Sequence, residues 1–170
     1  MKIFIFLSFI FLNSCSGKPI NKLSDTVKPS KAQSYLNNLQ DSLKSEYTAA
    51  PETIKMEILD KYHERLQQYL MSHSIDSIKV HIDEVVIKGR TITTKSHYNS
   101  IEFKYGLTFE DNMSPGTDPI YEFMKGLKAG NDTIISFSFT GACQINKPDN
   151  INISTFRIFA IPIPLGYKRK

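Results

Sequence analysis

The chain has 170 residues, with 21 lysines and arginines against 17 aspartates and glutamates, so its formal net charge is +4. This length fits one domain that can bury a hydrophobic core, and the slight basic excess gives no indication of nucleic-acid binding. The two cysteines, Cys15 and Cys143, form no Cys-x-x-Cys metal or redox motif, and the Gly-x-Ser-x-Gly and Ser-x-x-Lys motifs of serine hydrolases are missing from the sequence.

The N-terminus has the pattern of an export signal over residues 1–14. Lys2 supplies a positive charge, and residues 3–12 form an apolar run that is interrupted by Ser8 alone. Crossing a bilayer takes about 20 apolar residues. The run therefore predicts a cleaved signal peptide and not a membrane-spanning helix.

The end of this signal resembles the lipobox of bacterial lipoproteins, with Leu12 three residues before Cys15 and small Ser14 directly before it. Asn13 is unusual in that motif. The resemblance implies a lipidated Cys15 that carries acyl chains such as palmitate and anchors the chain to a membrane. The alternative is an ordinary secretory signal cleaved just after the cysteine. Because residues 16–19 contain no acid, the resemblance implies the outer membrane and its periplasmic face.

The next two segments are predicted to be a flexible tether and a helical region. Residues 15–29 have few large apolar side chains and many Lys, Ser, Asn and Pro, as flexible spacers do. Residues 30–72 show apolar positions at three- and four-residue spacing, with Ser30 and Gln33 as a capping box and Pro51 opening a second helix. We expect the apolar stripes to pack on the following domain; the alternative is a partner-binding face.

The tether contains one candidate modification site. Asp25-Thr26-Val27 reads Asp, then Ser or Thr, then an aliphatic residue. It resembles the O-glycosylation acceptor of exported Bacteroidetes proteins. The same pattern recurs elsewhere in the chain, where Asp before Ser or Thr also starts turns and caps. Thr26 is the position predicted to be modified.

Residues 76–166 are predicted to form a strand-rich domain. From Ser77 the apolar period changes to two, and a slip of phase near Asp83 predicts a β-bulge. A third strand over residues 101–109 alternates large apolar and polar residues. The alternation predicts that Phe103, Tyr105 and Leu107 point into the core.

A short helix, capped by Asp118, and two strands near residues 133–139 and 153–163 follow. The order of three strands, a helix and two strands resembles the OB-fold, a small five-stranded barrel. Residues 125–141 also resemble a helix-turn-strand passage in small OB-like domains of Bacteroidetes lipoproteins of unassigned function. The predicted class is α+β: N-terminal helices, then a small antiparallel, OB-like five-stranded β-barrel with a helix between strands 3 and 4. A β-sandwich is the alternative.

The barrel flank of strands 2 and 3 and the loop from Asp111 to Asp118 form the candidate binding surface. Its residues are polar or charged and lie beside the predicted turn: Glu102, Lys104, Asp111 and Asp118. A mixed set of charges is a poor track for phosphates, so nucleic acid is not an expected partner.

The titratable residues show no spacing that indicates catalysis. The four histidines lie apart in the sequence, at His63, His73, His81 and His97. None pairs at ligand spacing with another His, Cys or acid, so no metal or other cofactor is predicted. Cys143 is expected to be a small buried core residue.

These observations predict a lipid-anchored envelope lipoprotein that is not an enzyme and that binds a protein or a cell-envelope component such as a glycan. The first alternative is an envelope hydrolase whose site is assembled in space. The second is an immunity or inhibitor lipoprotein that blocks a toxin.

Overall fold

The computed structural model describes residues 29–108, 118–150 and 153–164. Two helices come first. The first, α1 (Lys31–Ala49), begins after Ser30, whose hydroxyl accepts a 3.1 Å hydrogen bond from the backbone N–H of Gln33, as predicted. A short 3-10 turn, Glu52–Ile54, leads into α2 (Lys55–Ser72). Each helix buries one stripe of large side chains, as its sequence spacing predicted.

The strands and a third helix follow in the predicted order: β1 (Ile75–Lys88), β2 (Thr91–Tyr98), β3 (Ile101–Thr108), α3 (Pro119–Gly126), β4 (Asp132–Ile145) and β5 (Phe156–Ile163). The register of β1 on β2 shifts between Ile82 and Glu84, which confirms the predicted bulge. The carboxylate of Asp118 accepts hydrogen bonds from the N–H groups of Ile120 and Tyr121, and it caps α3.

The strands close into a barrel in the order β1-β2-β3-β5-β4, and β4 returns to β1. This is the predicted OB-like arrangement, and it excludes the β-sandwich. The barrel is mixed and not wholly antiparallel, because β3 and β5 run parallel. Strand direction cannot alternate all the way around a closed ring of five strands, so at least one neighbouring pair has to be parallel.

The helices and the barrel share one hydrophobic core. The buried stripes of α1 and α2 form one cluster with the inner face of the barrel, where the rings of Phe103 and Phe137 stack with their centroids 4.3 Å apart. The barrel is therefore closed on one side by the two helices. Across the described ranges, no helix has the length and apolar character needed to cross a membrane.

The second half of β3 departs from the predicted core. Phe103 is 1% exposed, as expected, but Tyr105 and Leu107 are half-buried. They pack against a smaller cluster of Ile92, Tyr121 and Met124. This cluster has three buried residues and is much smaller than the main core. Tyr105 and Leu107 therefore pack inward, as predicted, but they are less buried than Phe103.

Candidate functional site

The outer surface of β2 and β3, here called the β2–β3 face, holds the exposed part of the predicted binding surface. Alternation along the two strands turns every second side chain outward. The ladder register sets these side chains in directly opposed pairs: Thr91 with Thr108, Thr93 with Gly106, Lys95 with Lys104, and His97 with Glu102.

Glu102 is on this face but is not available to a partner. It is 5% exposed, and its carboxylate accepts a 3.0 Å hydrogen bond from Lys95 Nζ and another from Nε of Arg157 on β5. The prediction of Glu102 as a binding residue is therefore wrong. Alternation correctly turned the side chain outward, but two long cationic side chains from neighbouring strands lie across it.

The surroundings of Glu102 keep its carboxylate charged. Burial on its own raises the pKa of Glu102, but the hydrogen bonds and positive charges of Lys95 and Arg157 outweigh it and hold the pKa below the ordinary value. Glu102 thus acts as an ionised link that ties β2, β3 and β5 together.

Lys104 is exposed, as predicted. Unlike Lys95, it is not paired with an acid among the described residues. It stands directly opposite Lys95 on β2 and in register with half-buried Phe159 on β5. No ion pair involves Lys104 in the part of the chain that the structure describes. Gly106 is the next outward-facing position on β3, and a Cβ atom added there would come within 3.1 Å of the Thr93 methyl group. The centre of the face is therefore cationic and low in relief.

The ladder also brings together two histidines that were predicted to be scattered. His81 and His97 are directly opposed, with ring centroids 5.2 Å apart. His81 Nδ1 lies 2.8 Å from Asp132, and His97 Nδ1 lies 2.6 Å from Asp83. The hydrogen bond from His81, followed by the charge of nearby Lys79, lowers the pKa of Asp132.

The sequence could not show this grouping, because opposed residues in a sheet are fixed by register and not by spacing. The two His–Asp pairs lie on the outside of the barrel. Within the described ranges, no group of three or more His, Cys, Asp or Glu side chains is arranged to hold a metal ion.

Four other site residues were predicted. Cys15, Thr26 and Asp111 lie outside the described residues. The remaining one, Asp118, uses its carboxylate to cap α3. One of its oxygens accepts both backbone hydrogen bonds, and its predicted role in binding stays a prediction.

A small cleft between α2 and β4 gathers a cysteine, a histidine and an acid. It holds about 240 Å³ and includes Asp60, His63 and Cys143. His63 Nε2 lies 3.1 Å from the carbonyl oxygen of Cys143, so this nitrogen carries the proton and donates it. Burial raises the pKa of the Cys143 thiol. The geometry is therefore that of a packed cysteine and not of a thiolate activated by histidine.

A larger groove of about 460 Å³ runs between α1 and α2. The rings of Tyr35 and Tyr69 stack along it, 3.7 Å apart, and the guanidinium of Arg65 lies 5.3 Å from the centre of the Tyr62 ring. Sequence spacing did not predict this groove, because it depends on which faces of the two helices meet.

Comparison with known protein families, with curated proteins and with solved structures finds no match to this chain. The class that the fold defines is an α+β domain in which N-terminal helices pack on a closed five-stranded mixed barrel.

Proposed function

We propose that the chain is a lipid-anchored envelope lipoprotein that catalyses nothing and binds a protein or an envelope component through its β2–β3 face. The lipobox-like residues before Cys15 support the lipid anchor. The same resemblance supports a location in the outer membrane, on its periplasmic side. The observation that carries the proposed binding role is Lys104, an exposed cation that faces a second cation, Lys95, and has no carboxylate partner among the described residues. Residues that bind partners often break a rule of local stability, because their interactions are completed only in the complex.

Two observations favour binding over the hydrolase alternative. The cleft that holds Cys143 directs His63 to a carbonyl oxygen and not to the thiol. The His81–Asp132 and His97–Asp83 pairs are on the outer barrel surface, where solvent weakens the electrostatic stabilisation that a closed site gives to a transition state. The immunity or inhibitor alternative also requires binding without catalysis, and these two observations favour it over the hydrolase as well.

The test is capture of envelope components by the full chain from detergent-solubilised membranes. Wild type is compared with Lys104→Glu, which reverses the charge at the centre of the face, and with Lys44→Glu as a matched control. Lys44 is an exposed lysine on α1, far along the chain from the barrel strands. The proposal predicts that Lys104→Glu loses the captured component while Lys44→Glu keeps it. Equal capture by both variants would reject the β2–β3 face as the binding site.

A further inference from the structure

We infer that the Lys95–Lys104 pair is an anion site and that the component bound at the β2–β3 face is an acidic saccharide, recognised by its carboxylate or phosphate group. This inference rests on the proposed function of that face and names the chemistry of its partner.

The charge arrangement supports an anion. Like charges that stand directly opposite each other on neighbouring strands destabilise a sheet. The Glu102 carboxylate, with one oxygen on Lys95 and the other on Arg157, is occupied and does not pair with Lys104. Glu84 faces Lys95 from β1, on the side away from Lys104. An anion placed between Lys95 and Lys104 would remove the repulsion and accept hydrogen bonds from the Lys104 ammonium group, which has no acceptor among the described residues.

The relief of the face supports a saccharide. Thr93 lies diagonally across from Lys104, and Gly106, the next outward position on β3, leaves the surface beside the lysine open. Beyond Gly106 the hydroxyl groups of Thr91 and Thr108 are hydrogen-bonded to each other, 3.0 Å apart, and Phe159 adds one apolar ring in register with Lys104. Hydroxyls, a cation and one flat apolar surface match the polar edges and C–H faces of a sugar ring. Single-stranded nucleic acid is bound differently, on several aromatic rings that stack with successive bases. The outward side chains of β2 and β3 include no Phe, Tyr or Trp.

The test is calorimetric titration of the full chain in a neutral detergent with four probes: an oligogalacturonate, a phosphorylated dextran oligomer, neutral dextran of the same length and a thymidine oligonucleotide. We expect at least one acidic saccharide to bind, more weakly as salt rises, and neutral dextran and the oligonucleotide not to bind. The first two probes distinguish carboxylate from phosphate.

Three variants locate the site. Lys104→Gln should weaken saccharide binding about tenfold, the effect of one lost hydrogen bond to a charged group. Lys44→Gln should leave it unchanged, and Glu84→Gln should strengthen it. The unfolding midpoint of Lys104→Gln should not fall below that of wild type, because the substitution removes a repulsion and breaks no ion pair among the described residues.

The outcomes separate this inference from the proposed function. No binding of either acidic saccharide, equal binding of neutral dextran or the oligonucleotide, or equal affinity of Lys104→Gln and wild type would each overturn the acidic-saccharide inference. If envelope capture still depends on Lys104 in that case, the proposed function stands and the partner has a different chemistry.

Discussion

Replacing Glu102 by glutamine tests whether the buried carboxylate holds three strands of the barrel together. Glutamine keeps the size and one hydrogen-bond acceptor but removes the charge. Lys95 and Arg157 then face each other across β3 without the anion that links them. We expect a loss of stability without any change of fold.

The size of the loss follows from the burial of the three groups. Breaking a fully buried ion pair costs about 3–5 kcal/mol, whereas exposed pairs contribute about 0–1 kcal/mol. The carboxylate side chain is 6% exposed, but those of Lys95 and Arg157 are 43% and 34% exposed, so water can partly solvate the two cations. We therefore expect a decrease of about 2 kcal/mol in the free energy of unfolding, between the two limits.

The assay is urea unfolding followed by circular dichroism, with Glu57→Gln as the control. Glu57 is an exposed acid on α2, and its substitution should change stability by less than about 0.5 kcal/mol. In a thermal scan, the loss at Glu102 corresponds to a decrease in Tm of about 4–8 °C. If Glu102→Gln and Glu57→Gln shift the midpoint equally, the linking role of Glu102 is wrong.

The pH dependence gives a second check. Because the pKa of Glu102 is lower in the folded chain than the ordinary value of 4.5, its stabilising effect is fully present above that value. It is lost as the pH falls through the lower pKa of the folded state. The difference in stability between wild type and Glu102→Gln should therefore shrink below about pH 4. A difference that grows on acidification would contradict the direction of the shift.

Three further predictions concern the core, the anchor and the thiol. Phe103→Ala should cost about 3–5 kcal/mol in urea unfolding and half-buried Leu107→Ala about 1–2 kcal/mol; equal costs would contradict the burial difference along β3. Cys15→Ala should abolish incorporation of radiolabelled palmitate and release the chain from membranes, and labelling equal to wild type would refute lipidation at this residue. Cys143 should react slowly with a thiol reagent in the native chain and quickly in urea, since burial raises its pKa; fast native labelling would mean that the thiol is accessible.

Local sequence patterns predicted most elements because each depends on neighbours along the chain. The Ser30 and Asp118 caps use backbone N–H groups two or three residues away, so residue type and position suffice to predict them. Strand alternation likewise correctly turned Phe103 inward and Lys104 outward. The same rule overestimated the burial of Leu107, because alternation gives the direction of a side chain and not the depth of what covers it.

The sequence by itself determined the order of helices and strands and the bulge near Asp83, both of which follow from periodicity. The tertiary structure decided which charges meet. Glu102 and Arg157 are 55 residues apart, and His81 and Asp132 are 51 apart, so their pairing follows from ladder register and barrel closure. Closing five strands into a ring requires a parallel contact, and the strand order makes it the contact of β3 with β5. This contact placed Arg157 against Glu102 and left Lys104 without a carboxylate among the described residues.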